Sequence, residues 1–227
     1  MSREVSYAKQ TLESPNPITR FAHQSRYRIS LDLADRLLPK GGLMVDFGAG
    51  EGTLLHKFGQ RRADARLLAI EPFMTIRYPE VRQLAKLGDA EAGSVDVVGS
   101  FEVLEHVSDA DLEQFLVDAK RALNADGRLL ITVPIMYGLA LPVKELSRMV
   151  LHRRLSDTGP IEMVRATLGL PIERPTLRGP THKGFDFRWL EQQIAKHFTI
   201  LERGFSPFQM LPWMVNSQAI FIAGKLG

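Results

Sequence analysis

The sequence predicts a doubly wound α/β fold around a mostly parallel sheet. Apolar, strand-like runs alternate along the chain with helical patterns, which is the rhythm of repeated β–α–β units. The first run, residues 43–47, leads into Gly48 and Gly50, so the chain turns sharply between a buried strand and a helix. Because crossovers between parallel strands are right-handed, few other topologies remain. We therefore expect helices on both faces and a ligand site at the carboxyl ends of the strands.

The turn after the first strand carries acids and no base. Asp46 precedes it and Glu51 lies within it, whereas Thr53 stands where a dinucleotide-binding turn has its third glycine. Carboxylates would repel a pyrophosphate but attract S-adenosylmethionine, which carries a sulfonium and an ammonium and no phosphate. At this point a purely structural turn in some other α/β protein remains the alternative.

Composition excludes several classes of protein. With 227 residues, 44% hydrophobic and 24% charged, the chain has the make-up of one ordinary globular domain. The absence of cysteine excludes disulfides, thiolate metal sites and a cysteine nucleophile, and it favours a cytoplasmic location. We expect no transmembrane segment and no signal peptide, because no apolar run approaches about 20 residues. A net charge of +3 gives little reason to expect a nucleic-acid partner.

The order of patterns predicts how this single domain, residues 1–227, is divided. Helical spacing of apolar residues before Pro39 and strand-like alternation after it mark the first boundary, and a stretch with five prolines interrupts the strand–helix rhythm after residue 135. The predicted parts are an N-terminal arm and helix (1–39), a cofactor-binding core (40–135), an insertion after the fifth strand (136–180), and a C-terminal helix and strand hairpin (181–227).

An acid also ends the second predicted strand. Glu71, followed by Pro72, lies about 20 residues beyond the glycines, where a carboxylate can accept hydrogen bonds from both ribose hydroxyls of an adenosine. Dehydrogenases use the same carboxylate–ribose contact, so Glu71 indicates a cofactor that contains adenosine but does not indicate which reaction is catalysed. The fourth strand then runs through residues 94–101 and continues into the segment E-V-L-E-H-V.

Two motifs stand out in the chain, D-F-G-A-G from Asp46 and D-V-V-G-S-F-E-V-L-E-H-V from Asp96. Together they resemble the class I S-adenosylmethionine-dependent methyltransferases, and within them the small-molecule branch of methyltransferase types 11 and 12. The resemblance covers residues 40–135 well and 181–227 in outline. It implies a Rossmann-like sheet of seven strands with one antiparallel strand, and methyl transfer from S-adenosylmethionine to a small molecule, leaving S-adenosylhomocysteine.

The resemblance also implies which residues hold the cofactor. A carboxylate at the position of Asp89 accepts a hydrogen bond from the adenine amino group in that family, and the neighbouring backbone meets the edge of the ring. The implied cofactor-binding residues are Asp46, Gly48, Ala49, Gly50, Glu71, Pro72, Asp89, Ala90, Ser100 and Phe101.

Two histidines are candidates for the catalytic base. A hydroxyl acceptor benefits from a base, and a neutral imidazole accepts a proton near neutral pH. His106 follows the fourth strand, and His182 follows the insertion. We favour His182, because His106 has a structural alternative, which is packing against the next helix.

A metal site is an alternative interpretation of the segment that contains His106. Glu102, Glu105 and His106 form E-x-x-E-H, and His182 could add a fourth ligand. Small-RNA 2′-O-methyltransferases use a similar site with a divalent ion, but this chain lacks their histidine-rich segment. The prediction is therefore no metal, with metal-dependent RNA methylation and a non-catalytic S-adenosylmethionine-binding module as alternative functions.

The acceptor is expected to be a hydroxyl of a sugar, a lipid-linked saccharide or a quinone-like molecule. The segment H-K-G-F-D from His182 resembles that of methyltransferases from bacterial polysaccharide pathways. The insertion is expected to be a mobile lid containing a short amphipathic helix between Leu141 and Leu155. Its basic residues Arg148, Arg153 and Arg154 favour an anionic or membrane-attached acceptor. An extra layer of core is the alternative.

Overall fold

The computed structural model describes residues 17–142, 145, 158–174 and 182–226, with side chains in the first helix from Gln24 onward. The elements follow one another as strands and helices in the predicted rhythm. They are α1 (Pro17–Leu37), β1 (Leu43–Phe47), α2 (Thr53–Arg61), β2 (Arg66–Ile70), β3 (Arg82–Leu84), β4 (Val95–Phe101), α3 (Asp109–Ala122), β5 (Leu123–Pro134), α4 (Pro160–Thr167), α5 (Phe187–Ala195), β6 (Phe198–Ser206) and β7 (Gln218–Lys225).

The seven strands form one sheet in the order β3-β2-β1-β4-β5-β7-β6. Strands β1 to β5 pair in parallel, and β7 runs antiparallel to both of its neighbours. This confirms the predicted seven-stranded, mostly parallel sheet with one antiparallel strand from the terminal hairpin. The predicted numbering implied a third strand but did not locate edge strand β3, because three residues with two polar side chains carry no apolar alternation.

Helices cover both faces of the sheet, as predicted. Successive strand residues point to opposite faces, so Val45 and Leu129 join the cluster under α3 and α5, whereas Met44 and Leu130 join the cluster under α1 and α2. Helix α3 begins where the Ser108 side chain accepts a hydrogen bond from the backbone N–H of Asp111. The two apolar layers fix the sheet and therefore the positions of the strand ends.

Between β5 and α5 the chain forms the insertion, which contributes no strand to the sheet within the described residues. The first part of this insertion belongs to the core, because the side chains of Met136, Tyr137 and Leu141 are buried there. Backbone at 140–142 and at residue 145 is helical. Most of the helix expected between Leu141 and Leu155, together with the three arginines at 148, 153 and 154, falls outside the described residues, so the lid stays a prediction.

No helix within the described ranges is long and apolar enough to cross a lipid bilayer. The longest of them is α1, with 21 residues, and its sequence mixes polar and charged side chains with the apolar ones.

Candidate active site

A cleft of about 450 Å³ opens at the carboxyl ends of the parallel strands. The chain segments that follow β1, β2 and β4 meet there, and α1 and the segment before α5 close its sides. Most of the predicted site residues line it. They are Asp46, Gly48, Ala49, Gly50, Glu71, Phe101, His106 and His182.

Four predicted cofactor residues lie outside the lining of this cleft. Pro72 is exposed, and Ala90 and Ser100 are buried. Asp89 is exposed and its carboxylate lies 4.0 Å from the Lys86 ammonium. Their assignments to the cofactor stay predictions.

The glycine turn after β1 requires glycine at both marked positions. Gly48 and Gly50 have φ angles of 79° and 56°, which other residues adopt only with strain. A Cβ added at Gly48 would lie 2.5 Å from a methyl carbon of Val103, so the β4 turn approaches the glycine closely. A Cβ added at Gly50 would meet only the Met74 sulfur, 4.0 Å away. Gly50 therefore leaves bare backbone beside open space in the cleft.

The two carboxylates beside the turn differ in how they are held. Oε2 of Glu71 accepts a hydrogen bond from the Gly50 N–H at 2.8 Å, and Oε1 accepts from the N–H groups of Phe73 and Met74. Asp46 is 2% exposed, and its Oδ1 has no hydrogen-bond partner among the described residues. Burial, and secondarily the charge of Glu71, raise the pKa of Asp46 to about 7.

The turn after β4 places a third carboxylate in the cleft. Glu102 has a φ of 58°, an unusual conformation for a residue other than glycine. Its two oxygens accept from Arg26 of α1 at 3.0 Å and from Gln218 of β7 at 2.9 Å. Arg26 therefore binds both this glutamate and the Ser217 carbonyl.

The remaining polar residues form a cluster of Glu105, His106 and His182. The ring centroids of the two histidines are 4.6 Å apart. The side chain of Glu105 is fully buried, whereas those of His106 and His182 are 40% and 33% exposed. Burial lowers the pKa of His106 below its usual value, the charge of Glu102 opposes this, and Arg174 adds to it. Its surroundings therefore favour the neutral imidazole.

Sequence reasoning missed two residues that shape this side of the cleft. The Arg174 guanidinium donates to the Glu105 carbonyl at 2.9 Å and stacks over the rings of Phe185 and Trp189. Gln218 reaches the cleft because β7 pairs antiparallel with β5, so its first residue lies opposite Pro134 at the strand ends. No local spacing marks either residue, and only the sheet order could have indicated Gln218.

A family model described as a methyltransferase domain matches residues 21–158, more than half of the chain. The chain belongs to the family of methyltransferase domains. It is a class I S-adenosylmethionine-dependent methyltransferase, as its two motifs predicted, and S-adenosylmethionine is its methyl donor. A comparison with curated protein sequences finds no match.

Solved structures share the fold of this methyltransferase at low sequence identity. A TehB-like methyltransferase from Corynebacterium glutamicum is 15% identical, with a TM-score of 0.54 over 93% of this chain and 100% of that chain. The 1,6-didemethyltoxoflavin-N1-methyltransferase of Burkholderia thailandensis is 16% identical, with a TM-score of 0.56 over 91% and 81%. Phosphoethanolamine N-methyltransferase 2 of Haemonchus contortus is 14% identical, with a TM-score of 0.55 over 97% and 60%.

Proposed function

We propose that this methyltransferase methylates a hydroxyl of a small molecule, such as a sugar, a lipid-linked saccharide or a quinone-like acceptor. The observation that carries the proposal is that His106 and His182 line the same cleft as the glycine turn. A hydroxyl bound beside the two imidazoles could face a methyl group held at the turn, with a proton acceptor within reach.

The structural neighbours support a small-molecule acceptor, but they do not indicate whether oxygen or nitrogen receives the methyl group in this protein. The Burkholderia enzyme was solved with 1,6-didemethyltoxoflavin and S-adenosylhomocysteine, and the Haemonchus enzyme with phosphomonomethylethanolamine and S-adenosylhomocysteine. Both names describe methylation of nitrogen. The pair of histidines favours oxygen here, because a hydroxyl must lose its proton on transfer and gains more from a base than a neutral amine does.

The donor half of the cleft, formed by the glycine turn, Asp46 and Glu71, fits the proposed cofactor contacts. The open space at Gly50 lets the ligand approach backbone, and the free Oδ1 of Asp46 can face a positive group. Glu71 already accepts three N–H bonds, yet a carboxylate has about four acceptor sites, so Oε2 keeps capacity for a ribose hydroxyl. Contacts from Ala49 and Phe101, which also line the cleft, complete the proposal.

The sulfonium supplies an already activated methyl group, so the chain mainly holds the acceptor in line and takes up its proton. The acceptor oxygen forms the new bond to the methyl carbon while the carbon–sulfur bond breaks toward sulfur. In the protein without a metal, His182 accepts the hydroxyl proton, with His106 as the second candidate. Both are partly exposed, so the proton can leave to solvent.

Three further proposals concern the role of the insertion, the chemistry of the acceptor and the location of the protein in the cell. The insertion acts as a lid, its basic residues favour an anionic or lipid-linked acceptor, and the protein works in the cytoplasm. The apolar residues Leu139, Ile161 and Val164 support a covering role, because they are exposed on this insertion where an acceptor or a membrane surface could bury them. The absence of cysteine is consistent with a cytoplasmic location.

Mass spectrometry tests the proposed function. The protein is incubated with S-adenosylmethionine bearing a labelled methyl group and, in separate reactions, with an extract of small molecules and with total RNA. We expect a product whose fragment ions place the labelled methyl group on an oxygen. Label on nitrogen would overturn the hydroxyl proposal, and label on RNA would replace it with the RNA alternative.

A further inference from the structure

Glu105, His106 and His182 bring three ligand atoms together at the acceptor side of the cleft. These atoms all lie within 4.8 Å of one another. His182 Nδ1 is 3.5 Å and His106 Nε2 is 3.8 Å from the same oxygen, Oε1 of Glu105. Both distances exceed the usual range of about 2.7–3.2 Å for an N–H···O bond. They approach the spacing of two donors on one cation, since ligands about 2.1 Å from a tetrahedral centre lie about 3.4 Å apart.

We propose that this cluster binds one divalent transition-metal cation of the Zn²⁺, Co²⁺ or Mn²⁺ type. Two imidazole nitrogens and one carboxylate suit such ions, whereas Ca²⁺ and Mg²⁺ prefer oxygen ligands alone. Three protein ligands leave at least one coordination position for a water or an acceptor. That position faces the cleft, because all three residues line it.

The local structure holds the ligands in place without the ion. His106 follows a turn in which its N–H donates to the Val103 carbonyl at 2.9 Å, and the buried Leu104 anchors that turn. On the other side, the Phe185 N–H donates to the His182 carbonyl at 3.1 Å, and Phe185 is itself buried. Both histidines therefore project from short turns fixed to the core, which lowers the cost of ordering them around a cation.

The charges around the cluster allow a cation. Glu105 places a negative charge beside both imidazoles, and Glu102 adds a second one, which its ion pair with Arg26 at 3.0 Å offsets in part. The Arg174 guanidinium, which donates to the Glu105 carbonyl, is positively charged and therefore opposes the binding of a cation. Since the two histidines are partly exposed while Glu105 is buried, an ion would enter along the imidazoles and end against the carboxylate.

A bound cation would change how the proposed methyl transfer works. An acceptor hydroxyl on the open position would lose its proton more readily, because the metal stabilises the oxyanion. Nitrogens that hold the ion cannot also accept protons, so the histidines would then act as ligands and not as bases. This consequence rests on the proposed function, but the binding of the ion does not.

Titration with Co²⁺ tests the site in the full-length protein after chelator treatment, without cofactor or acceptor. We expect one equivalent to bind with visible absorption bands. Affinity should fall roughly 100-fold or more in Glu105→Gln, His106→Gln and His182→Gln, since even outer-shell changes cost 10–100-fold. The matched control is His197→Gln, which removes a histidine that pairs with Glu113 at 3.0 Å on the surface and should leave binding unchanged.

Two results would overturn the site: a wild-type protein that binds no Co²⁺, or three cleft variants that bind it as the wild type does. Retained S-adenosylmethionine binding in each variant shows that it is folded, so weak Co²⁺ binding cannot be attributed to unfolding. Because the titration contains no acceptor, its failure would leave the methyl-transfer proposal standing, with the histidines as bases.

Discussion

The two halves of the cleft are built in different ways. The donor half comes from one continuous β–α–β unit, in which Asp46, the glycines and Glu71 lie within 26 positions of one another. The acceptor half joins the turn after β4 to His182, which lies 76 positions beyond His106. Bare backbone and buried carboxylates dominate the first half, and side chains on turns dominate the second. Under the proposed assignment, donor binding is encoded locally, whereas acceptor chemistry depends on long-range packing.

Gly50→Leu should have the largest effect and should be confined to the donor half. The side chain would enter the open space beside the turn, so we expect S-adenosylmethionine binding to fall below detection by calorimetry. The control is Gly93→Leu, because Gly93 has a similar φ of 70° and open space around it but lies outside the cleft. Equal binding by the two variants would contradict the assignment of the turn.

His182→Ala should affect the acceptor half alone. Removing a general base lowers turnover by roughly 10²–10⁴-fold, and loss of a metal ligand would lower it as well. Because His182 is on the acceptor side, we expect the affinity for S-adenosylmethionine to stay near the wild-type value. Turnover is measured on the acceptor found by the labelling experiment. Full turnover would remove His182 from the mechanism, and His197→Ala serves as the surface control.

Glu71→Ala should weaken the donor half by a smaller amount. Loss of a charged acceptor costs about 1–3 kcal/mol, or roughly 5- to 150-fold in the dissociation constant for S-adenosylmethionine. Part of this cost arises because the Gly50, Phe73 and Met74 N–H groups lose their acceptor. Glu71→Gln keeps one acceptor oxygen and should lose less, as measured by the same calorimetry. Equal affinity in all three proteins would show that Glu71 does not hold the ligand.

The sequence predicted the fold well, because its signals are local and repeated. Strand and helix periods and the glycine turn each specify a short segment. The short edge strand β3 was missed because pairing with β2, and not its own pattern, makes it a strand.

The site was predictable only in part, and for the same reason. The donor residues follow from one motif and a fixed spacing, and most of them line the cleft. The contacts of Glu102 with Arg26 and Gln218 join three distant parts of the chain, so no spacing could reveal them. The prediction of no metal rested on the absence of a histidine-rich segment, whereas the 3.5 Å approach of His182 to Glu105 depends on folding and not on sequence spacing.

The pH dependence of cofactor binding gives the smallest expected effect and separates the two halves once more. The pKa of Asp46 is raised to about 7 in the free protein by burial and by Glu71, so the carboxyl is mostly protonated at pH 6. A positive ligand favours the ionised form, so binding must release this proton at low pH. Affinity should therefore rise as pH increases through 7, by roughly 5- to 10-fold between pH 6 and 7.5.

Calorimetry in two buffers of different ionisation enthalpy measures the released proton directly. Asp46→Asn should bind more weakly and should lose this part of the pH dependence, because the amide does not titrate. Lys196→Gln is a suitable control, since Lys196 is exposed and lies outside the cleft. A wild-type affinity that stays constant from pH 6 to 7.5 would mean that Asp46 does not face the positive groups of the cofactor, and the donor half would need a different arrangement of its carboxylates.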